Sequence, residues 1–318
     1  KKYSVLKSPK NFNNRIGVPL TLLNLNQSYD CVVMEMGMNH LGEIHELSVL
    51  CKPEIGVITN IGTAHIGFLN GQKNIKKAKL EILDGMEQGS LLVNGLDPML
   101  QDVQKEGVSR VLVGKESVVC ESAQFYPEYT VASINIQGDL YSIKYYLPGD
   151  KMLPNILLAI QIGLIFSVPI TDILDAIEEY MPNNKRLHRI VLNDNLVLID
   201  DSYNASLESL ENDLTILKVT EGKKVLILGD FLELGKYSKK IHRKALRKIK
   251  KVPHLETYLV GKETNRYRYF LRHKKGFSDV LQLQQYLEKH PLCKGTILVK
   301  GSRKVGLDQI VTYLKRIS

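Results

Sequence analysis

Hydrophobic and polar positions along the chain fall into two alternating rhythms. Short apolar runs bounded by polar residues, at Cys31–Glu35, Glu54–Ile58, Leu91–Val93 and Arg110–Val113, read as strands. Between them lie stretches whose apolar residues recur every three or four positions. These predict helices over Gly42–Leu50, Asn74–Gly85, Asn155–Ile165 and Ile170–Tyr180. Tyr129–Leu147 alternates with period two and predicts a hairpin or meander around Gly138-Asp139. Pro182-Asn183-Asn184 then punctuates the chain after a helix, and a second series begins. It sets strands at Leu196–Asp200, Lys224–Leu228, Thr257–Val260 and Thr296–Val299 among helices at Ser206–Leu217, Lys236–Lys251, Ser278–Lys289 and Gly306–Ile317. Strands alternating with helices predict an α/β protein of two units. Residues 1–186 would form a mostly parallel sheet with flanking helices, and residues 187–318 a Rossmann-like unit.

Composition changes this picture little. The 318 residues are 44% hydrophobic and 24% charged, ordinary values for a globular protein. No apolar run approaches the roughly 18 residues of a membrane span. Cys31, Cys51, Cys120 and Cys293 are scattered, without the paired spacing of a zinc or redox site. The net charge of +9 raises nucleic acid as a partner, but much of the excess lies in Lys239-Lys240, Arg247-Lys248 and Lys250-Lys251. Those pairs sit in a helical stretch, where a solvated basic face accounts for them, and the expectation is no nucleic-acid partner.

The chemistry concentrates at the ends of strands. Glu35 closes one apolar run just before Met36-Gly37, and His65 follows another after Thr59-Asn60-Ile61-Gly62. A carboxylate and an imidazole at the carboxyl ends of neighbouring strands stand where open α/β sheets bind ligands. They suit a divalent cation held against a nucleotide phosphate, though a strand-end acid and a lone histidine are also common structural residues. Lys79 lies beside Glu81 in a helix that also carries Lys73, Lys76 and Lys77, where a solvated face is the plain reading.

The segments NFNNRIGVPLTLL, MEMGMNHLGEIHEL, TNIGTAHIGFLNGQKNIKKAKLEI, DDSYNASLESL, LGDFLELGKYSKKIH and LVKGSR occur in that order along essentially the whole chain. Together they resemble the Mur ligases, the ATP-dependent amide-forming enzymes of peptidoglycan precursor synthesis. The resemblance is to the branch that joins D-alanyl-D-alanine to UDP-N-acetylmuramoyl-tripeptide through an acyl phosphate. It implies the family's central ATPase fold followed by its Rossmann-like C-terminal unit. The family opens its ATPase with a glycine-rich P-loop preceded by a separate uridine-nucleotide domain. Here the sequence starts a few residues before NFNN. Gly114-Lys115 and Gly261-Lys262 are each followed by Glu and lack the Ser or Thr of a P-loop. The central unit is therefore expected to be partial, lacking its P-loop start, and the chain alone to be inactive; a non-catalytic paralogue that binds nucleotide or a partner is the alternative.

The resemblance also implies roles. Glu35, His65 and Lys79, the last as a carbamate, would hold Mg2+; a carbamate needs an amine of depressed pKa and hence partial burial. Asn155, Arg186 and Asp201 would hold ATP, with Asp200 the alternative to Asp201. Lys151 stands where the family usually has His. Lys300, Ser302 and Arg303 are candidates for the dipeptide carboxylate, or else an exposed strand-to-helix turn. Asn13 and Asn14 either orient substrate or tie down their own loop. Tyr203, Asn204 and His242 belong to matched segments without an assigned role. The implied protein is a cytoplasmic monomer.

Overall fold

The computed structural model describes residues 2–182 and 185–317, so the turn expected at Asn183-Asn184 lies outside the described residues. In the first half, β1 (Val5–Lys7) and β2 (Cys31–Val33) form a two-stranded parallel sheet. A second parallel sheet orders β3 (Ile55–Ile58), β4 (Gly89–Asn94) and β5 (Val108–Val113) side by side. An antiparallel meander follows, of β6 (Val119–Phe125), β7 (Thr130–Ile136) and β8 (Asp139–Tyr145). The second half folds as one six-stranded sheet. Its strands are β9 (His188–Asn193), β10 (Leu196–Asp201), β11 (Lys224–Gly229), β12 (Leu255–Val260), β13 (Lys274–Phe277) and β14 (Gly295–Lys300). They lie in the order 13-12-11-14-10-9, all parallel except β9.

The burial of each strand follows its neighbours. β11 sits inside the six-stranded sheet, and every residue of Lys224–Gly229 is buried, as its unbroken apolar run requires. β7 alternates buried and half-buried residues, one face on the core and one outward. The β7–β8 turn is centred on Gln137-Gly138, one residue earlier than its sequence pattern suggests. Both residues have positive φ, 56° and 102°, the condition for a tight two-residue hairpin.

The helix expected over Asn74–Gly85 is split. Gln72–Leu80 is α-helical and Glu81–Gly85 tightens to a 3-10 turn. The tightening brings Gly85 against the helix Glu43–Cys51, where a Cβ would lie 2.0 Å from the Ser48 carbonyl oxygen. The elements not anticipated are β1, β6, β9, β13 and the short helices Gly17–Leu22, Ile66–Leu69 and Lys262–Arg266.

One continuous apolar core joins the two halves. Ile58, Ile66, Leu69 and Leu91 pack in the same cluster as Leu207, Leu214, Phe231 and Leu234. Across this seam Gly67 N donates to Glu233 O at 2.9 Å and the Tyr237 hydroxyl to Asn70 O at 3.0 Å. A Cβ on Gly67 would lie 2.5 Å from Glu233 O, so the two backbones meet where only glycine fits. Separate cores fill the far side of the six-stranded sheet and the space between the meander and helices Leu153–Ile165 and Ile170–Glu179.

Candidate active site

A cleft of about 920 Å³ opens between helices Leu153–Ile165 and Ile170–Glu179 and the carboxyl ends of β10 and β14. Its walls include Asn155, Arg186, Asp201, Tyr203, Asp213 and Lys300. Asn155 stands in the first turn of its helix, next to Pro154, which favours a helix start. Ile156, Ile162 and Ile173 add apolar lining. A Cβ on Gly163 would meet Ile173 at 2.7 Å, so glycine there lets the two helices approach closely.

Asp201 and Lys300 end adjacent parallel strands in register. The Lys300 ammonium is fully buried, ion-paired to Asp201 and 3.2 Å from Asp213 Oδ2. Asp201 Oδ1 also accepts from Leu187 N at 3.1 Å. Burial lowers the Lys300 pKa, but the two carboxyls outweigh it and the net shift is upward. Burial pushes Asp213 well above the usual carboxylate range against the pull of Lys300, with Asp201 adding repulsion. Burial therefore favours the protonated form of Asp213, beside the ion pair of Lys300 and Asp201. Asp200 is consumed locally, accepting from Ser202 N at 3.1 Å and Ser202 Oγ at 2.6 Å. Of the two aspartates, Asp201 is the one on the cleft wall.

The turn after β14 is not the exposed basic turn its residues suggest. Lys300 is internal, and Ser302 is buried with its Oγ accepting from Leu232 N at 2.9 Å. Arg303 alone of the three faces solvent. The burial has a plain cause: Lys300 closes an interior strand, and Asp201 at the end of β10 and Asp213 on helix Leu207–Val219 meet it there. Arg303 and Arg186 both approach the Tyr203 ring, at 5.5 and 4.6 Å from its centroid. Tyr203 therefore holds two guanidiniums at the mouth of the cleft by cation–π contact.

The residues expected around a metal are dispersed over separate partners. Lys79 is half-buried and donates to Asn60 O at 2.7 Å. Burial draws its ammonium below the usual lysine value, while Asp97 and Glu208 pull upward without cancelling that. Those acids are held in place: Asp97 accepts from Ile61 N at 2.7 Å, and Glu208 from Thr63 N and Oγ1 at 3.1 and 2.9 Å. Glu35 is exposed and accepts from Asn13 Nδ2 at 2.8 Å. Gly37 packs closely beside it, where a Cβ would lie 2.9 Å from the Asn13 side-chain amide. His65 has positive φ, 58°, and its Nδ1 lies 2.8 Å from Glu233 Oε2. Among the described residues no three His, Cys, Asp or Glu side chains converge on one point. The carboxylate of Glu35 suits a hard cation, and Lys79 would offer oxygen donors to it only as a carbamate. Each of the three has its own neighbour here: Glu35 the Asn13 amide, His65 the Glu233 carboxylate and Lys79 the Asn60 carbonyl.

Other expectations resolve locally. Asn14 Oδ1 accepts from Ile16 N at 3.0 Å and Gly17 N at 2.9 Å, tying down the start of helix Gly17–Leu22. His242 is buried, its Nε2 accepting from Phe231 N and its Nδ1 2.9 Å from Ser238 O, a structural pairing that burial keeps neutral by lowering its pKa. Glu81 accepts from Gly42 N at 2.9 Å and faces the start of helix Glu43–Cys51. Asp97, Glu208 and Asp213 were not anticipated. Asp97 follows the end of β4 by three residues, the same strand-end placement that singles out Glu35.

The Mur ligase middle domain matches residues 1–163, more than half of the chain. The UDP-N-acetylmuramoyl-tripeptide–D-alanyl-D-alanine ligase of Bacillus subtilis is 31% identical, over 98% of this chain and 70% of the relative. The same ligase of Escherichia coli is 30% identical over 98% and 71%. A crystal structure of MurF from Acinetobacter baumannii superposes with a TM-score of 0.93 at 26% identity, covering 99% of this chain and 71% of that one. MurF from Thermotoga maritima, solved in complex with ADP, has a TM-score of 0.88 at 22% identity over 99% and 74%, a likeness of fold. The chain belongs to the Mur ligases, the ATP-dependent ligases of peptidoglycan synthesis, in the branch that adds D-alanyl-D-alanine.

Proposed function

We propose that the cleft is the nucleotide site of a ligase that joins D-alanyl-D-alanine to UDP-N-acetylmuramoyl-tripeptide. The observation that carries this is that Asn155, Arg186 and Asp201 line one cleft. In the reaction the γ-phosphoryl of ATP passes to the tripeptide's terminal carboxylate, releasing ADP. The dipeptide amine then attacks the acyl phosphate carbonyl, inorganic phosphate leaves, and the nitrogen gives up a proton. Catalysis of this kind rests on positioning and on compensating phosphate charge.

The residues divide that work. Asn155 would meet the adenine with its amide, and Arg186 a phosphate with its permanent planar cation. Asp201, held by Lys300 and Leu187 N, would present its carboxylate to the ribose hydroxyls. Arg303, rather than the buried Lys300 or Ser302, is the basic residue free to meet the dipeptide carboxylate. Mg2+ would be held by Glu35, His65 and Lys79 as its carbamate, and when bound it would neutralise phosphate oxygens. His65 reaches that role by leaving Glu233. We place the joint between an ATP-binding unit, residues 1–186, and a dipeptide-binding unit, residues 187–318, at Arg186, in a cytoplasmic, monomeric enzyme.

Photolabelling with 8-azido-ADP tests the site. Label should fall on helix Leu153–Ile165 or on the segment Asp201–Ser209, and ADP should protect against it. Label elsewhere, or unprotected label, rejects the placement. The Lys79 assignment has its own test. With 13C-bicarbonate, a carbamate carbonyl signal should appear above about pH 8 in the wild type and vanish in Lys79→Ala. A signal that survives the substitution removes Lys79 from the metal set.

A further inference from the structure

Positive charge in this protein belongs to one lobe. The segment from Lys236 to Lys275 holds fifteen Lys and Arg against two acids, Glu256 and Glu263. That local excess is larger than the +9 of the whole chain, so the remainder is net acidic. A general drift toward basic residues would not produce such a division.

The fold displays these cations on its surface. Helix Ser238–Ile249 buries Ile241, His242, Ala245, Leu246 and Ile249 against the core. Its outer face, continuing past the helix end, exposes Lys239, Lys240, Lys244, Lys250 and Lys251. Lys248 pairs with Glu211 and Arg266 with Glu263, while those five lysines have no carboxylate partner among the described residues. Arg243 and Arg247 turn onto the Phe270 ring, at 5.8 and 5.1 Å. Beside Phe270, Tyr269 stands 63% exposed, its ring 4.5 Å from its neighbour's.

We propose that this lysine-covered face docks the protein on an anionic phospholipid surface. Unpaired like charges repel one another and gain most from a partner that supplies negative charge over a broad area. The unpaired cations on the helix's outer face are lysines, compact point charges suited to diffuse attraction by a headgroup layer. Two of the neighbouring arginines, whose forked donors would suit a phosphodiester or a base, are engaged with Phe270. The face has one exposed aromatic ring rather than a row for stacking bases, and a tyrosine among lysines is a membrane-interface pairing. The helix's apolar side is already buried, so attachment is electrostatic and reversible rather than by insertion.

Co-sedimentation with vesicles tests this directly. The protein should pellet with phosphatidylglycerol-containing vesicles and not with phosphatidylcholine alone, and should be released at about 1 M salt. A variant carrying Lys239→Gln, Lys240→Gln, Lys244→Gln and Lys251→Gln should bind at least about a hundredfold more weakly, from roughly fivefold per lysine. Exposed lysines of the same half outside the lobe provide the control. Lys289→Gln, Lys294→Gln, Lys304→Gln and Lys315→Gln together remove the same net charge and should leave binding within about threefold. An unchanged melting curve for both variants excludes unfolding. Equal loss in the two variants would reduce the effect to net charge and overturn the proposal. So would absence of vesicle binding, or lobe-dependent binding of single-stranded RNA in its place.

Discussion

Two shielded lysines in this protein have opposite fates. Lys300 is fully enclosed, yet its pKa is raised, because Asp201 and Asp213 meet the ammonium directly. Lys79 is less enclosed, yet its pKa is lowered, because its direct partner is the neutral Asn60 carbonyl while Asp97 and Glu208 act from further away. Depth of burial does not decide whether a lysine is a structural cation or a reactive amine. The charge of its nearest neighbours does. The first environment locks a proton in place beside the cleft. The second prepares an amine to lose one, which is the condition for reaction with carbon dioxide.

The sharpest way to break this contrast is to delete each ammonium. Lys300→Met leaves the Asp201 carboxylate unpaired and should cost about 3–5 kcal/mol in urea unfolding. Lys79→Met removes a poorly compensated charge and should change stability by less than about 1 kcal/mol. Equal losses would abolish the distinction. A second test uses pH. The Asp213 pKa is raised, so between the ordinary carboxylate value of 3.8 and its folded value the native state holds a proton that the unfolded chain does not. Stability carried by Asp213 is therefore present at low pH and lost as pH rises through that window. Asp213→Asn keeps a neutral side chain and should flatten that loss, gaining on the wild type by up to about 1.4 kcal/mol per pH unit. Parallel stability curves would mean that Asp213 is ionised in the fold. The smallest effect concerns the cleft mouth. Tyr203→Leu should release Arg186 and Arg303 and weaken ADP binding in calorimetry by about two- to fivefold, whereas Tyr203→Phe should not. A loss in the phenylalanine variant would assign the role to the hydroxyl.

The α/β class was legible because β10, β11, β12 and β14 are apolar runs between amphipathic helices. The strands that escaped notice are short or polar-faced. β13 carries Lys274 and Lys275 at the sheet edge, where charge discourages pairing with another chain but also erases the apolar signal. Family likeness pointed to Asn155, Arg186 and Asp201, which share the cleft, and to Lys79. Periodicity could not separate Lys79 from Lys73 and Lys77, which are exposed, or from Lys76, which pairs with Asp102 at 2.6 Å. Only packing distinguishes them. Lys300 shows the reverse problem: in the string Lys-Gly-Ser-Arg it looks like a surface turn, and the carboxylates that draw it inward lie 99 and 87 positions earlier in the chain. Glu35 and His65 stand out because strand-end position is visible in sequence, whereas the contact of His65 with the distant Glu233 is not.

The contact of Gly67 with the Glu233 backbone bears on how this protein can be recombined. Residue 186 looks like a natural crossover point for splicing the halves of two related ligases. Yet the seam lies elsewhere, in the facing surfaces of Thr63–Asn70 and Glu208–Tyr237, which share a core and leave no room for a methyl group at Gly67. A productive chimera would have to inherit both surfaces from one parent, so heredity here follows the packing interface rather than the linker.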